Sequence, residues 1–431
     1  MYLLKDFITA RAQLVTYILF ALTIYSIEQF IKTKKKRYAV YLIIIPILLA
    51  NLHCAVWPFY FVLYLPYIAE YLLALISDAR IHYWMLIKWN QSKLKKIMKK
   101  GNQEAIEKQE GKIAKLKLDK EQAEEREKKR RENPYKVIFK KKPAVKWLIV
   151  IMIICIFTGL LTPLGDVPYT YLVKTMQGNT THNISEHQPL VLINNRTMLI
   201  TFIVYILFLI FTDTKAELSD LFMIGGLTIL SFMSRRQMAL FAIMGGFVFA
   251  KLVATFIQKY DQEGTKSVVK FITTLLGRIF AILVVLLLSI LLYRGKENDH
   301  FVNERSYPVE ACDYILANLD IENIRLFNEY NYGSYLLYRG IPVFIDSRAD
   351  LYAPEFNGIK NEEGEWEGRD IFSDYINVSN IGTYYEDKME KYAITHVIIG
   401  RNTKLNMFLS RDDNYLELYS DDNFVIYERV I

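Results

Sequence analysis

Apolar residues in the first two thirds of this chain collect in blocks of roughly 15–20, separated by short polar stretches, close to the length a helix needs to cross ~30 Å of hydrocarbon. Eight such blocks are predicted to be spans: Ala12–Ile31, Tyr38–Asn51, Pro58–Ile76, Lys146–Leu161, Met198–Thr212, Ser219–Ser234, Met238–Ile257 and Thr274–Tyr293. Beyond them the pattern changes. Pro308 opens a helical spacing of Val309, Cys312, Ile315, Leu316 and Leu319, followed by short apolar runs at Ile324–Phe327, Pro342–Ile345, Val397–Ile399 and Phe424–Tyr427. A helical pattern lies at Asp370–Val378, and a hairpin at Leu416–Glu428 turns through Ser420, Asp421, Asp422 and Asn423. Strands alternating with helices predict a small α/β sheet.

The expected fold class is thus an α-helical multi-pass membrane protein of about eight spans with a C-terminal extracytoplasmic α/β domain. Four regions follow: residues 1–77, the first membrane helices; 78–145, a basic cytoplasmic insert; 146–294, a second helix group; and 295–431, the outer domain. Between Gln91 and Glu132 the insert alternates Lys and Glu, with Ile106, Ile113, Leu116 and Ala123 near heptad positions. It predicts a charged helix or helical hairpin ended by Asn133–Pro134, either a solvated insertion or a docking arm that contacts anionic lipid.

Charge sets the orientation. Lys32, Lys34, Lys35, Lys36, Arg37 and the basic insert fall on one side, which the positive-inside rule makes cytoplasmic. Residues 1–10, Asn51–Trp57, Asp166–Thr197 and everything after Arg294 are then outside. Arg235 and Arg236, between two spans, run against this trend. An N-terminus outside without a leader also suggests that an odd number of helices precedes Met1.

Composition agrees with a membrane protein. The chain of 431 residues is 52% hydrophobic, and its net charge of +7 comes mainly from Lys and Arg beside apolar blocks rather than from a phosphate-binding face, so no nucleic-acid partner is expected. Cys54, Cys155 and Cys312 are too far apart for a metal site and odd in number for a disulfide framework. There is no phosphate-cradling glycine loop, HExxH or nucleophile elbow.

Candidate chemistry therefore rests on polar residues at the outer ends of spans, where burial of ionisable groups is costly and usually faces a cavity. His53, after Asn51-Leu52, is either an interfacial helix end or a contact to a head group or metal. Arg11 would anchor its helix or pair with a lipid phosphate. Glu186, beside His187, has the chemistry of a general base or divalent-cation ligand. Arg235 and Arg236 present guanidinium forks suited to phosphate. Asn179-Thr180-Thr181 and Asn183-Ile184-Ser185 match the N-glycan acceptor pattern. In the soluble part, Asn328–Tyr335 and the run Asp346, Arg348, Asp350 follow predicted strands, where open sheets present their crevice. The latter trio suits carbohydrate or forms a salt-bridged turn.

Several of these segments together resemble bacterial membrane proteins related to the GT-C glycosyltransferases, of the dolichyl- or polyprenyl-phosphate sugar transferase type. The resembling residues are Arg11-Ala12-Gln13-Leu14, Asn51-Leu52-His53, Thr162-Pro163-Leu164-Gly165 through Ile184, Glu186 and Pro189, then Arg235-Arg236, Asn328 to Tyr335, and Val343-Phe344-Ile345-Asp346-Ser347-Arg348-Ala349-Asp350-Leu351-Tyr352. They cover nearly the whole chain outside the basic insert. The resemblance implies sugar transfer from a polyprenyl-phosphate donor to a cell-envelope glycan or protein at the outer face of the plasma membrane. A general base would activate the acceptor hydroxyl, and arginines or a divalent cation would stabilise the departing phosphate. Two departures stand out. The acidic residue that such enzymes carry in their first outer loop has no counterpart here, so no catalytic base is assigned, and Cys54 stands where the pattern tends to have Gly. A non-catalytic, membrane-anchored glycan-binding or partner subunit is the second reading. A transporter is the third, with Glu70 the clearest charge at membrane depth.

Overall fold

The computed structural model describes residues 12–77, 79–99, 102–132, 136–138, 140–177, 184, 186–294, 302–363 and 366–430. Arg11, Asn133–Pro134 and the acceptor patterns at Asn179 and Asn183 include or are residues outside those described. The chain forms two compact units, residues 1–172 with 189–271, and residues 173–188 with 272–431.

The first unit is helical: α1 (Gln13–Thr33), α2 (Lys36–Leu52), α3 (Cys54–Ile76), α4 (Ala79–Met98), α5 (Gln103–Glu132), α6 (Val145–Leu160), α7 (Val167–Gln177, whose last residues belong to the second unit), α8 (Arg196–Phe211), α9 (Leu218–Met233), α10 (Arg235–Tyr260) and α11 (Gln262–Thr273). Three of them, α1, α3 and α10, are long and apolar enough to cross a membrane; the bent pair Gln262–Thr273 plus Leu275–Leu291 would be a fourth. Helices α6, α8 and α9 are equally apolar but shorter.

The core between α1, α2, α3 and α6 is built partly around a proline. Pro46 lies inside α2, and because it has no N–H, the carbonyl of Leu42 four residues earlier loses its helical partner. The Tyr60 hydroxyl donates to that oxygen at 2.5 Å and Cys155 Sγ approaches it at 3.4 Å. Tyr60 also shares a hydrogen bond with Tyr64, and Trp57 Nε1 donates to Thr158 Oγ1 at 3.2 Å. Three helices are thereby tied at one apolar-depth polar knot, as expected where water is excluded.

The charged insert is a hairpin. Helix α4 starts at Ala79, well before Gln91, and packs along α5, with Asn90 and Ile113 buried between them and Gln109 Nε2 bonded to Asn90 Oδ1 at 2.8 Å.

In the second unit, α12 (Leu275–Arg294) is apolar, and most of its described side chains are exposed. The C-terminal part holds a four-stranded sheet in the order β3 (Leu326–Asn328), β6 (His396–Gly400), β8 (Phe424–Arg429), β7 (Tyr415–Ser420), in which β3 and β6 are parallel and the remaining pairs antiparallel. Short pairs β1 (Val137–Ile138) with β2 (Ala216–Glu217) and β4 (Ile359–Lys360) with β5 (Trp366–Glu367) lie elsewhere in the chain. Helix α13 (Val309–Asn318) buries Ala311, Cys312 and Ile315 against Leu326, Ile398 and Ile426. Helix α14 (Ile371–Asn380) is capped by Asp370, which accepts from the Ser373 amide at 3.0 Å. The β7–β8 turn forms as expected: Asp421 Oδ1 accepts from the amides of Asn423 and Phe424, both at 2.7 Å.

One expected strand is absent. Residues Pro342–Ile345 run without ladder pairing because a side chain stands in for a neighbouring strand. Asn328, fully buried, donates from Nδ2 to the Ile345 carbonyl at 2.8 Å and accepts at Oδ1 from the Phe344 amide at 2.8 Å. The approach is so close that a Cβ on Gly333 would overlap the Ile345 carbonyl oxygen.

Candidate functional site

Two of the residues singled out in the sequence meet at the start of α1. His53 ends α2 and Arg236 lies in the tight turn that opens α10. His53 Nδ1 is 2.6 Å from Thr16 Oγ1. One turn earlier on the same face of α1, the Gln13 carbonyl, with its amide oriented to suit the guanidinium, accepts from Arg236 Nε and Nη2, both at 2.6 Å. Gln13 and Thr16 are themselves buried. Burial, followed by the positive charge of Arg236, pushes the His53 imidazole down to about 4, so it is neutral at physiological pH.

Arg235 completes the turn. Among the described residues its Nε is buried without a hydrogen-bond partner, and such an orphaned charged donor costs far more than a satisfied one. Five residues after Arg236 the backbone of α10 widens into a π-helix over Phe241–Gly245, a feature frequent at functional positions. The Tyr205 hydroxyl donates to the Gly245 carbonyl there. Beside it, Ile200, Val204, Tyr205, Phe241, Gly246 and Phe249 line an apolar groove of about 240 Å³. Arg235 and Arg236 thus precede Phe241, the first groove residue on the same helix, by six and five residues, about 8–9 Å along the axis at 1.5 Å per residue.

Glu186, Asp346, Arg348 and Asp350 belong to the second unit. They gather around Tyr330, whose hydroxyl donates to the Ser347 carbonyl at 2.8 Å. Burial first, then the negative charges of Asp350, Glu186 and Asp346, push the Tyr330 phenol up to about 12. Asp346 is fully buried and engaged by its own loop: Arg348 Nε donates to Oδ1 at 3.0 Å, Arg348 Nη2 to Oδ2 at 2.5 Å, and Tyr352 to Oδ2 at 2.9 Å. Burial alone would raise this carboxyl, but those donors hold it below its usual value. The geometry is that of the salt-bridged turn, with the Arg348 side chain exposed.

The sequence reading missed a third cluster. Lys142 Nζ bridges Glu70 at 3.0 Å and Glu217 at 2.6 Å, while Lys251 Nζ reaches Asp220 at 3.0 Å, Glu217 at 3.4 Å and Glu28 at 3.7 Å. Tyr67 donates to Glu28 at 3.0 Å, and the Lys140 amide to Glu70 at 3.1 Å. From sequence Glu70 alone stands out as a charge at membrane depth; Glu28, Lys142, Glu217 and Asp220 sit at or near block edges, and Lys251 lies inside the block Met238–Ile257 without a visible partner.

Among the described residues, no three of His, Cys, Asp and Glu come together to hold a metal ion. No protein-family model, curated protein or solved structure matches this chain.

Proposed function

We propose that this chain is a plasma-membrane protein of about eight spans that binds a polyprenyl-phosphate sugar through Arg235 and Arg236 and transfers the sugar to an acceptor at the outer face, where the C-terminal unit also lies. The observation that carries this reading is the Arg235–Arg236 turn, whose Arg235 Nε is buried without a hydrogen-bond partner among the described residues, a few residues before the apolar groove lined by the same helix. A phosphate at the turn would pair with the two guanidinium groups through charge-assisted bonds, and an isoprenoid tail would fill the groove. His53, neutral and held by Thr16, has the protonation state needed to accept a proton from an acceptor hydroxyl. A transferable charge would build on the phosphate as the sugar leaves, where fixed guanidinium groups act most strongly.

A second reading, a non-catalytic glycan-binding or partner subunit, is favoured by one feature: no carboxylate bonds to His53, Arg235 or Arg236 among the described residues. One experiment tests both. Purified protein in nanodiscs is titrated with a polyprenyl phosphate and, separately, with the matching alcohol, and sugar transfer from the loaded donor to membrane acceptors is followed in parallel. Binding should require the phosphate and weaken by about 10–100-fold in R235A/R236A, from the worth of one to two charged hydrogen bonds, with insertion into the membrane unchanged. Transfer that disappears with it supports the enzyme. Phosphate-dependent binding without any transfer supports the partner subunit. Equal binding of phosphate and alcohol, or wild-type behaviour in the double variant, overturns the site.

A further inference from the structure

Helices α4 and α5 pair along one seam but carry different charges. Ala79–Met98 holds five cations and no carboxylate, whereas Gln103–Glu132 holds ten cations against nine carboxylates. The face of α4 turned to α5 is made by Tyr83, Leu86, Asn90, Leu94 and Ile97, which are buried or half-buried. Away from that seam stand Trp84, Met85, Lys88 and Trp89, with Lys93 flanking its edge, all exposed, the tryptophans 56% and 62% accessible. The ammonium of Lys88 lies 4.7 Å from the centre of the Trp84 ring and that of Lys93 lies 5.3 Å from Trp89.

Two large aromatic side chains left in water on a helix that satisfies its partner with the other face require an occupant. The sequence supplies three constraints on it. It must accept indole rings, which prefer the boundary between apolar and wet media. It must be anionic, because the helix offers only positive charge. It must also be close, because α4 begins three residues after the spanning segment Cys54–Ile76 ends, a separation of at most about 11 Å of extended chain. We propose that this face of α4 lies on the surface of the bilayer from which α3 emerges, with Trp84 and Trp89 at headgroup depth and Lys88 and Lys93 on anionic lipid headgroups. The balanced helix α5 then faces water. The hairpin is a lipid-composition sensor rather than an inert insertion, and this holds whether or not the chain transfers sugar.

The test uses the full chain in nanodiscs, with wild-type tryptophan emission compared against W84F/W89F so that the difference reports these two rings alone. Lipids brominated near the top of the acyl chain should quench that difference strongly when a third of the lipid is phosphatidylglycerol, and more weakly in pure phosphatidylcholine. K88E/K93E should reduce the quenching in anionic discs toward the neutral value, since each cation near an anionic surface contributes about five-fold in affinity. The lipid dependence in wild-type protein stands even if that variant proves misfolded. Quenching that is absent, or acrylamide access that is equal in both lipid compositions, overturns the proposal. So does protection of the two rings by added single-stranded RNA in place of anionic lipid.

Discussion

His53 shows how much a single side chain depends on neighbours that lie far away in sequence. Its ordinary imidazole would titrate near neutrality, but burial and Arg236 hold it down to about 4. The unfolded chain therefore binds a proton between about pH 6.5 and 4 that the folded chain refuses, and stability must fall as pH drops through that window. Above pH 6.5 the contribution is fully present; below 4 it is gone. Thermal unfolding of the protein in one detergent at pH 7.5 and pH 5 should show a loss on acidification that is clearly smaller in His53→Gln, which keeps an acceptor for Thr16 but cannot titrate. Equal losses in the two proteins would remove His53 as the source. The position of His53 at the polar end of an apolar helix was readable from sequence, but its state was not, because Thr16 and Arg236 reach it only through folding. Asn328 shows the converse limit. The run Pro342–Ile345 has the apolar character of a strand, yet an asparagine from a separate segment takes the ladder's bonds, and no local pattern announces that substitution.

At the scale of elements, the ion cluster holds α1, α3, α9 and α10 together through two lysines. Glu70 is 1% exposed, and its partners are Lys142 and one backbone amide. Removing the lysine would strand a buried carboxylate, which costs about 3–5 kcal/mol where partners cannot rearrange. Lys142→Met should therefore lower the unfolding temperature sharply, and pairing it with Glu70→Gln should recover part of the loss by neutralising the stranded charge. Lys259→Met, which breaks an exposed pair with Asp213, should change little. Similar shifts for Lys142→Met and Lys259→Met would show that the cluster is not what locks these helices. Local pattern located the elements themselves: helical spacing gave α13, turn residues gave the β7–β8 turn, and alternating charge gave the α4–α5 hairpin from Gln91 on, though not its start at Ala79. It did not reveal the cluster, because Glu28, Lys142, Glu217 and Asp220 occupy ends or connections where charge is ordinary, and nothing local pairs them with Glu70 and Lys251 inside the apolar blocks. The knot at Leu42 escaped for a related reason: Pro46 signals a lost bond, but not that Tyr60 and Cys155 would replace it.

For the whole molecule, the number of crossings decides on which side each part works. Helices α6, α8 and α9 each run 16 residues, about 24 Å at 1.5 Å per residue, against roughly 30 Å of hydrocarbon. If all three cross, with local thinning of the bilayer, five spans separate the α4–α5 hairpin from the C-terminal sheet and the two lie on opposite sides. If only the helices that meet the length criterion cross, two spans separate them (α10 and the bent pair) and they lie on the same side. Trypsin distinguishes these cases, since the hairpin is dense in Lys and Arg and Arg305 is exposed just before α13. On intact spheroplasts the protease should cut around Arg305 and spare the hairpin; on inverted vesicles it should cut the hairpin and spare the sheet. Fragments mapped by mass spectrometry give the answer without any substitution. Cleavage of both parts from one side would reduce the count of spans and put the sheet and the basic hairpin on the same side of the membrane. The Arg235–Arg236 turn could then no longer be assigned to the outer face by counting from either end, and the outer-face transferase would lose the topological half of its support.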